Sequence, residues 1–600
     1  MVKSLVAFVL LAAPLAAQGV RYEVSIPDPD ARLFHVKAEF PTGGKDTLYV
    51  SLPAWSPGAY EIQNYARYVR HFAARSGAAG AAGPGGALFW DRLDKDTWRV
   101  ATGRAPRVTV EFDFLADTVD LSLARVADEF GQFLGTNLFL FEEGQLERPA
   151  EVRFTLPQGW RVTTALKGRG PYTAADYHEL ADAMTFVGKY ALDSLRVDGR
   201  WIRLAVWPQE AYTQPVARNL RSSIERMAPA QNRLMGGPPY DVYTVFFMIV
   251  DPSVPFGGGL EHANAQFDIL PQPAFADAGG RLGDFVLPLL SHEFFHLWNV
   301  KRIRPAELWP YDYRREQYTP LLWWSEGVTD YYADLTNLRA GLWTEEQFFE
   351  NVTDNLGTVA EAPEPWSAED GSIATWIQEV YVNSSQLYYP EGSLIGLLLD
   401  VSIRDATDNA KSLDDVTRAL FTRFYRQGKG FTTTDLLRLL TESGMPDVEG
   451  FYNRYINGRE DLPYDAVFAK AGLAVRRDTT TDFMLGGALS LNAQGEIVVD
   501  RVGSEGSAQS AGIRPGDVLL KLDDLDVRPT AEAFEAIRNR YRGKSGSPIR
   551  FTVRRGGQSV TLSGTVREQS RAAFSVSRAA SRTPKQDRIW QGLAAGTTGQ

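Results

Sequence analysis

Apolar and polar residues alternate along the first third of the chain. V-R-Y-E-V-S-I at 20–26, F-H-V-K-A-E-F at 34–40 and V-T-V-E-F-D-F at 108–114 each repeat with a period of two. Their apolar positions favour β-branched and aromatic side chains, which predicts half-buried antiparallel strands and an all-β, sandwich-like domain over 18–200. Near Trp201 the pattern changes. V-Y-T-V-F-F-M-I-V at 242–250 is almost continuously apolar and reads as a buried strand. Helical signals follow it. Thr344 with Gln347, and Thr432 with Asp435, are capping pairs, and 394–401 forms a long apolar face. A β-then-α domain thus spans 201–473. A third unit at 482–568 holds G-S-A-Q-S-A-G-I-R-P-G-D-V, a helical stretch at 531–541 and a hairpin turning at Gly556 and Gly557. The last segment, 569–600, is rich in Ser, Arg, Ala and Gly and reads as a flexible tail.

Composition narrows the classes of function. With 600 residues, 44% hydrophobic and 23% charged, the chain is long enough for several soluble domains whose cores need no disulfide. A net charge of −11 argues against nucleic acid or an anionic membrane as the main partner. The absence of cysteine removes thiolate chemistry and Cys-ligated metals. At the N-terminus, Lys3 precedes a short apolar run at 5–15 and the small residues Ala16 and Ala17. Segment 1–17 therefore reads as a secretory signal peptide, and bacterial periplasm is the expected location. No later run is apolar and long enough to predict a transmembrane helix. S-G-A-A-G-A-A-G-P-G-G-A at 76–87 reads as a surface loop, since no phosphate-binding G-x-x-x-x-G-K-[ST] accompanies it.

The chemistry centres on S-H-E-F-F-H-L-W-N at 291–299. His292 and His296 are one helical turn apart, so both imidazoles point the same way. Two neutral nitrogens on a stiff element suit zinc, and Glu293 is placed to act as a general base on a water. Catalytic zinc takes three protein ligands, and W-W-S-E-G-V-T-D-Y-Y at 323–332 offers Glu326 as the third. Asp330 lies four residues on, on the same face, and can accept the other N–H of His292. Arg302 and Arg304 follow the helix as ordinary partners of its C-terminal dipole.

H-E-F-F-H-L-W-N-V-K-R-I-R-P at 292–305, with W-S-E-G-V-T-D-Y-Y, resembles the glycyl aminopeptidase family of zinc metallopeptidases, which are gluzincins. The resemblance extends to S-L-P-A-W-S-P-G-A-Y at 51–60 and to a C-terminal unit similar to bacterial PDZ domains, where Ala508, Ala511 and Gly512 precede Gly516-Asp517. It implies a thermolysin-like catalytic domain, one zinc ion per chain and removal of small N-terminal residues, glycine or alanine. It also implies that Glu261, in G-G-G-L-E-H-A-N, holds the substrate's free α-amine, with His262 a hydrogen-bonded neighbour. Tyr389, in Y-P-E-G, would stabilise the oxyanion, with Tyr388 the competing assignment. Two other functions remain open: a zinc endopeptidase with PDZ-recruited substrates, and a PDZ-centred peptide-binding protein with a vestigial zinc site. The PDZ unit would bind an extended C-terminal peptide by strand addition.

Overall fold

The computed structural model describes residues 19–77, 85–127, 129–252, 254, 257–275, 285–362, 366–377, 387–492 and 494–599. The expected signal peptide at 1–17 and much of the Gly/Ala-rich stretch lie outside these residues. In the N-terminal part, Val20–Ser25, Leu33–Pro41 and Arg107–Leu115 alternate buried and more exposed positions, as the period-two pattern requires. Leu33–Pro41 pairs antiparallel with Arg107–Leu115, setting Phe34 opposite Phe114 and Val36 opposite Phe112 on one apolar face. These strands belong to a seven-stranded sheet accompanied by two four-stranded sheets. One pairing departs from the antiparallel expectation. Val20–Ser25 lies parallel to Ala150–Thr155, so the start of the β domain is tied to a strand more than a hundred residues away.

The catalytic half opens with a five-stranded sheet in the order Ala191–Val197, Arg200–Trp207, Val242–Val250, Ala265–Pro271, Gly258–His262. Its first two strands form a hairpin, so the change of architecture falls before 191 and not at 200. Val242–Val250 runs parallel to both of its neighbours and is buried along nearly its whole length, which explains its unbroken apolar sequence. Gly258–His262 pairs antiparallel at the edge and carries Glu261. Helices follow. Thr344 and Thr432 cap theirs as the sequence indicates, each in a reciprocal box with Gln347 or Asp435.

The C-terminal part has its own core around Ile497, Leu519, Ile537 and Phe551. Gly556 and Gly557, both at positive φ, make the turn between Pro548–Arg555 and Gln558–Thr565. This unit is held between two long strands, Leu473–Phe483 and Glu568–Arg578, paired antiparallel along their full length. The segment 569–600 is not a flexible tail. It continues that strand and then forms helix Pro584–Ala595, which buries Ile589, Trp590 and Leu593 in the main core. Thr583 caps this helix in a box with Gln586. Carbonyls beyond its buried face accept from Arg339 and Arg404 of the catalytic part, at Leu593 and Thr597. Among the described residues no helix is long and apolar enough to cross a membrane.

Candidate metal centre

His292 sits in the last turn of helix Val286–Phe295, and His296 caps it while keeping helical dihedrals. Their Nε2 atoms come within 2.8 Å of each other, and Glu326 Oε2 lies 3.6 and 3.2 Å from them. The tautomers follow from the opposite ring edges. His296 Nδ1 faces the Asn299 carbonyl at 2.6 Å, which only accepts, so this nitrogen carries the proton. His292 Nδ1 donates to Asp330 Oδ1 at 2.7 Å. Both Nε2 lone pairs therefore point at one another and at a carboxylate. Two imidazoles and one carboxylate converging in this way form a donor set that fits zinc.

Glycine brings Glu326 to this point. It lies in a π-helical turn, Trp323–Gly327, leading into helix Val328–Arg339. A Cβ on Gly327 would meet Gly392 Cα and the Tyr388 carbonyl, both at 2.5 Å. The glycines of W-S-E-G and Y-P-E-G are thus the contact that lets the Glu326 turn and helix Tyr388–Ala406 approach. Asn299 secures the other side, donating to the Trp324 carbonyl at 2.8 Å and to Thr329 Oγ1 at 3.1 Å.

Glu293 is buried against strand Gly258–His262, where a side chain on Gly259 would collide with its carboxylate. Burial, reinforced by Glu261, Asp268 and Glu326 against the pull of His292, pushes its carboxyl well above the usual range. Ligand-type atoms of Glu261, Glu293 and His296 all lie within 4.8 Å of one another. Glu261 Oε1 and Glu293 Oε2 are both buried without a hydrogen-bond partner in the protein. Two orphaned acceptors beside a metal-type cluster are an arrangement that a ligand completes.

The two tyrosines separate. The Tyr389 ring lies 6.2 Å from that of His292, centroid to centroid, whereas the Tyr388 hydroxyl meets Thr375 Oγ1 at 3.3 Å. Burial and the charge of Glu326 hold the Tyr389 phenol well above its ordinary value, so it stays a proton donor. His262 is buried with Nδ1 3.4 Å from Asp182, away from the histidine pair. Arg302 is spent on the structure, donating to the carbonyls of Ala263, Leu297 and Pro239 and to Asn264 Oδ1. Arg304 stacks over Trp309 at 3.8 Å.

Sequence reasoning passes over two neighbours. Lys301 is buried with Nζ 3.0 Å from Asp182 and 3.8 Å from Glu261. Burial opposes its charge, but these carboxylates hold it above the usual ammonium value. Lys301 stands in the stretch that follows the zinc-type helix, but nothing in its local sequence marks it as buried among carboxylates. Tyr60 is the other: its Oη donates to Glu326 Oε1 at 2.9 Å.

Comparison with known proteins agrees with this architecture. The profile of the Peptidase M61 N-terminal domain matches residues 21–189, that of M61 glycyl aminopeptidase matches 286–395, and a PDZ domain profile matches 476–566. The crystal structure of an aminopeptidase N family protein from Idiomarina loihiensis superposes with a TM-score of 0.81 at 23% identity, covering 95% of this chain and 99% of that one. An M1 zinc metallopeptidase from Deinococcus radiodurans aligns with a TM-score of 0.46 at 15% identity, over 74% of this chain and 94% of that one. A curated relative, a probable CtpA-like serine protease of Staphylococcus saprophyticus, is 26% identical over 155 residues, 26% of this chain. The chain spans 28% of the length of that relative. The chain thus carries an M61-type N-terminal domain, a catalytic domain of the M61 glycyl aminopeptidase type and a PDZ domain.

Proposed function

We propose that this protein is a zinc-dependent aminopeptidase that removes glycine or alanine from the N-termini of peptides. The observation that carries the reading is the spacing of Glu261. Its carboxylate lies within 4.8 Å of Glu293 and His296, with one oxygen buried and without a hydrogen-bond partner. An extended chain advances about 3.3–3.6 Å per residue, so an ammonium held at Glu261 leaves room for a single residue before the scissile bond. His292, His296 and Glu326 would hold the metal. When bound, zinc supplies Lewis acidity toward the carbonyl and the attacking water. Glu293, with its raised proton affinity, takes the proton of that water and returns it to the leaving amine. The Tyr389 phenol donates to the developing oxyanion, a contribution of about 3 kcal/mol for one such donor. Export to the periplasm belongs to the same reading and rests on segment 1–17.

Metal-assayed protein tests this reading through hydrolysis of Gly- and Ala-initiated peptides, before and after a chelator. Chelator-sensitive release of the first residue is expected. Comparable rates on N-terminal Leu or Arg would contradict the preference for small residues. Asp330→Asn should weaken zinc binding about 10–100-fold, because it removes the carboxylate that orients His292. Chelator competition reads this directly, and unchanged affinity would remove Asp330 from the account.

A zinc endopeptidase with recruited substrates has one observation in its favour. Edge strand Gly487–Leu491 borders a groove of about 270 Å³ lined by Phe483, Leu485, Leu489, Phe534 and Ile537, suited to adding a peptide C-terminus as a further strand. The two readings part on whether the substrate's N-terminus must be free.

A further inference from the structure

The stretch S-L-P-A-W-S-P-G-A-Y at 51–60 belongs to the β domain, yet its end lies in the metal centre. Contacts from the catalytic domain hold it there. Ala54 N donates to the Tyr313 carbonyl at 2.7 Å, Trp55 Nε1 to the Asp312 carbonyl at 2.8 Å, and Lys301 Nζ to the Pro57 carbonyl at 3.0 Å. Gly58 takes φ +112, and a Cβ there would stand 2.5 Å from Glu261 Oε2. Two residues later Tyr60 itself adopts φ 49, a left-handed conformation that a bulky side chain rarely accepts. Strain at a buried aromatic points to a constraint imposed by what the side chain does. What it does is donate to Glu326.

We propose that Tyr60 is a positioning residue for the third metal ligand, supplied to the catalytic centre by the N-terminal β domain. The proposal rests on the zinc reading given above. Glu326 Oε2 faces both imidazole nitrogens, while Oε1 points away and receives the Tyr60 proton at 2.9 Å. Both side chains are buried, at 4% and 2% exposure, so no water takes the place of the phenol. The hydrogen bond fixes rotation about the last bond of Glu326. It keeps Oε1 occupied by the phenol and leaves Oε2 facing the imidazoles, where it would serve as the ligand to a bound zinc. Without it, the carboxylate can turn both oxygens inward or take up a proton. The T-shaped contact of the Tyr60 ring with Trp376, 6.2 Å between centroids, is a packing role that phenylalanine would keep.

Tyr60→Phe separates the two roles, since it removes only the hydroxyl. Zinc affinity measured by chelator competition should fall about 10–100-fold, the usual loss when a partner orienting a ligand is removed. The thermal midpoint of the metal-free protein should stay near wild type, since the ring packing on Trp376 is kept. Unchanged zinc affinity would overturn the proposal, as would a collapse of kcat with affinity intact, which would place the phenol on the substrate. If Tyr60→Phe does not fold, a crystal structure of zinc-loaded wild-type protein decides. Tyr60 Oη on the Glu326 oxygen that is off the metal is expected, and a bidentate Glu326 or a displaced Tyr60 would refute it. His292→Ala is the control for the underlying reading: zinc binding that survives it refutes the centre itself, whereas a null result confined to Tyr60→Phe refutes only the positioning role.

Discussion

Glu293→Gln is expected to leave zinc bound and lower turnover by a factor of about 10²–10⁴ or more, the usual share of a general base. The substitution keeps the shape and removes only the ability to accept a proton. Glu293 is not one of the ligands proposed for zinc, His292, His296 and Glu326, so metal content should be unchanged. Its Oε2 is buried and without a hydrogen-bond partner, and burial, reinforced by the surrounding carboxylates, raises its affinity for a proton. Those are the properties wanted in a group that must take a proton from a poor acid. The check is single-substrate kinetics beside metal analysis on the same preparation. An active Glu293→Gln protein with a full complement of zinc would remove this residue from the mechanism.

The second large effect lies far from the metal. Trp590→Ala should cost about 3–5 kcal/mol, as truncation of a fully buried aromatic does. Trp590 is 2% exposed, lies 5.0 Å from the Phe349 ring, and donates from Nε1 to Glu345 at 2.8 Å. Denaturant unfolding of the catalytic part, read by a probe outside the PDZ unit, should shift to a lower midpoint. A midpoint equal to wild type would mean that the C-terminal helix is dispensable, as a loose tail would be.

That helix shows where sequence reading fails and why. Residues 569–600 have the composition of a disordered segment, and composition outweighed local signals that were present. Thr583, Pro584 and Gln586 form an N-terminal capping signature, and Ile589, Trp590 and Leu593 fall on one face of the helix that follows. Three large apolar residues are enough when a core is waiting for them, and nothing in their own segment announces that core. The clustering of the proposed metal ligands is legible for the opposite reason. His292 and His296 lie on one helical turn and Glu326 and Asp330 on another, so a local period places each pair. Tyr60 and Lys301 were not legible as site residues. Tyr60 reaches Glu326 across 266 positions of sequence, and no periodicity spans such a gap. Lys301 meets Asp182 and Glu261 only after the β domain has packed against the edge strand of the catalytic sheet. The hairpin of Ala191–Val197 and Arg200–Trp207 is not legible as the start of the catalytic sheet, because a strand's own sequence does not say which sheet it joins.

The central claim is that Glu261 binds a free N-terminus one residue from the bond that is cut. It is tested most directly by offering Gly- and Ala-initiated peptides beside N-acetylated copies of the same sequences, on zinc-loaded protein with and without a chelator. Hydrolysis confined to the free peptides, and abolished by the chelator, is the predicted result. Equal cleavage of the capped copies would contradict the Glu261 anchor and turn the assignment to an endopeptidase.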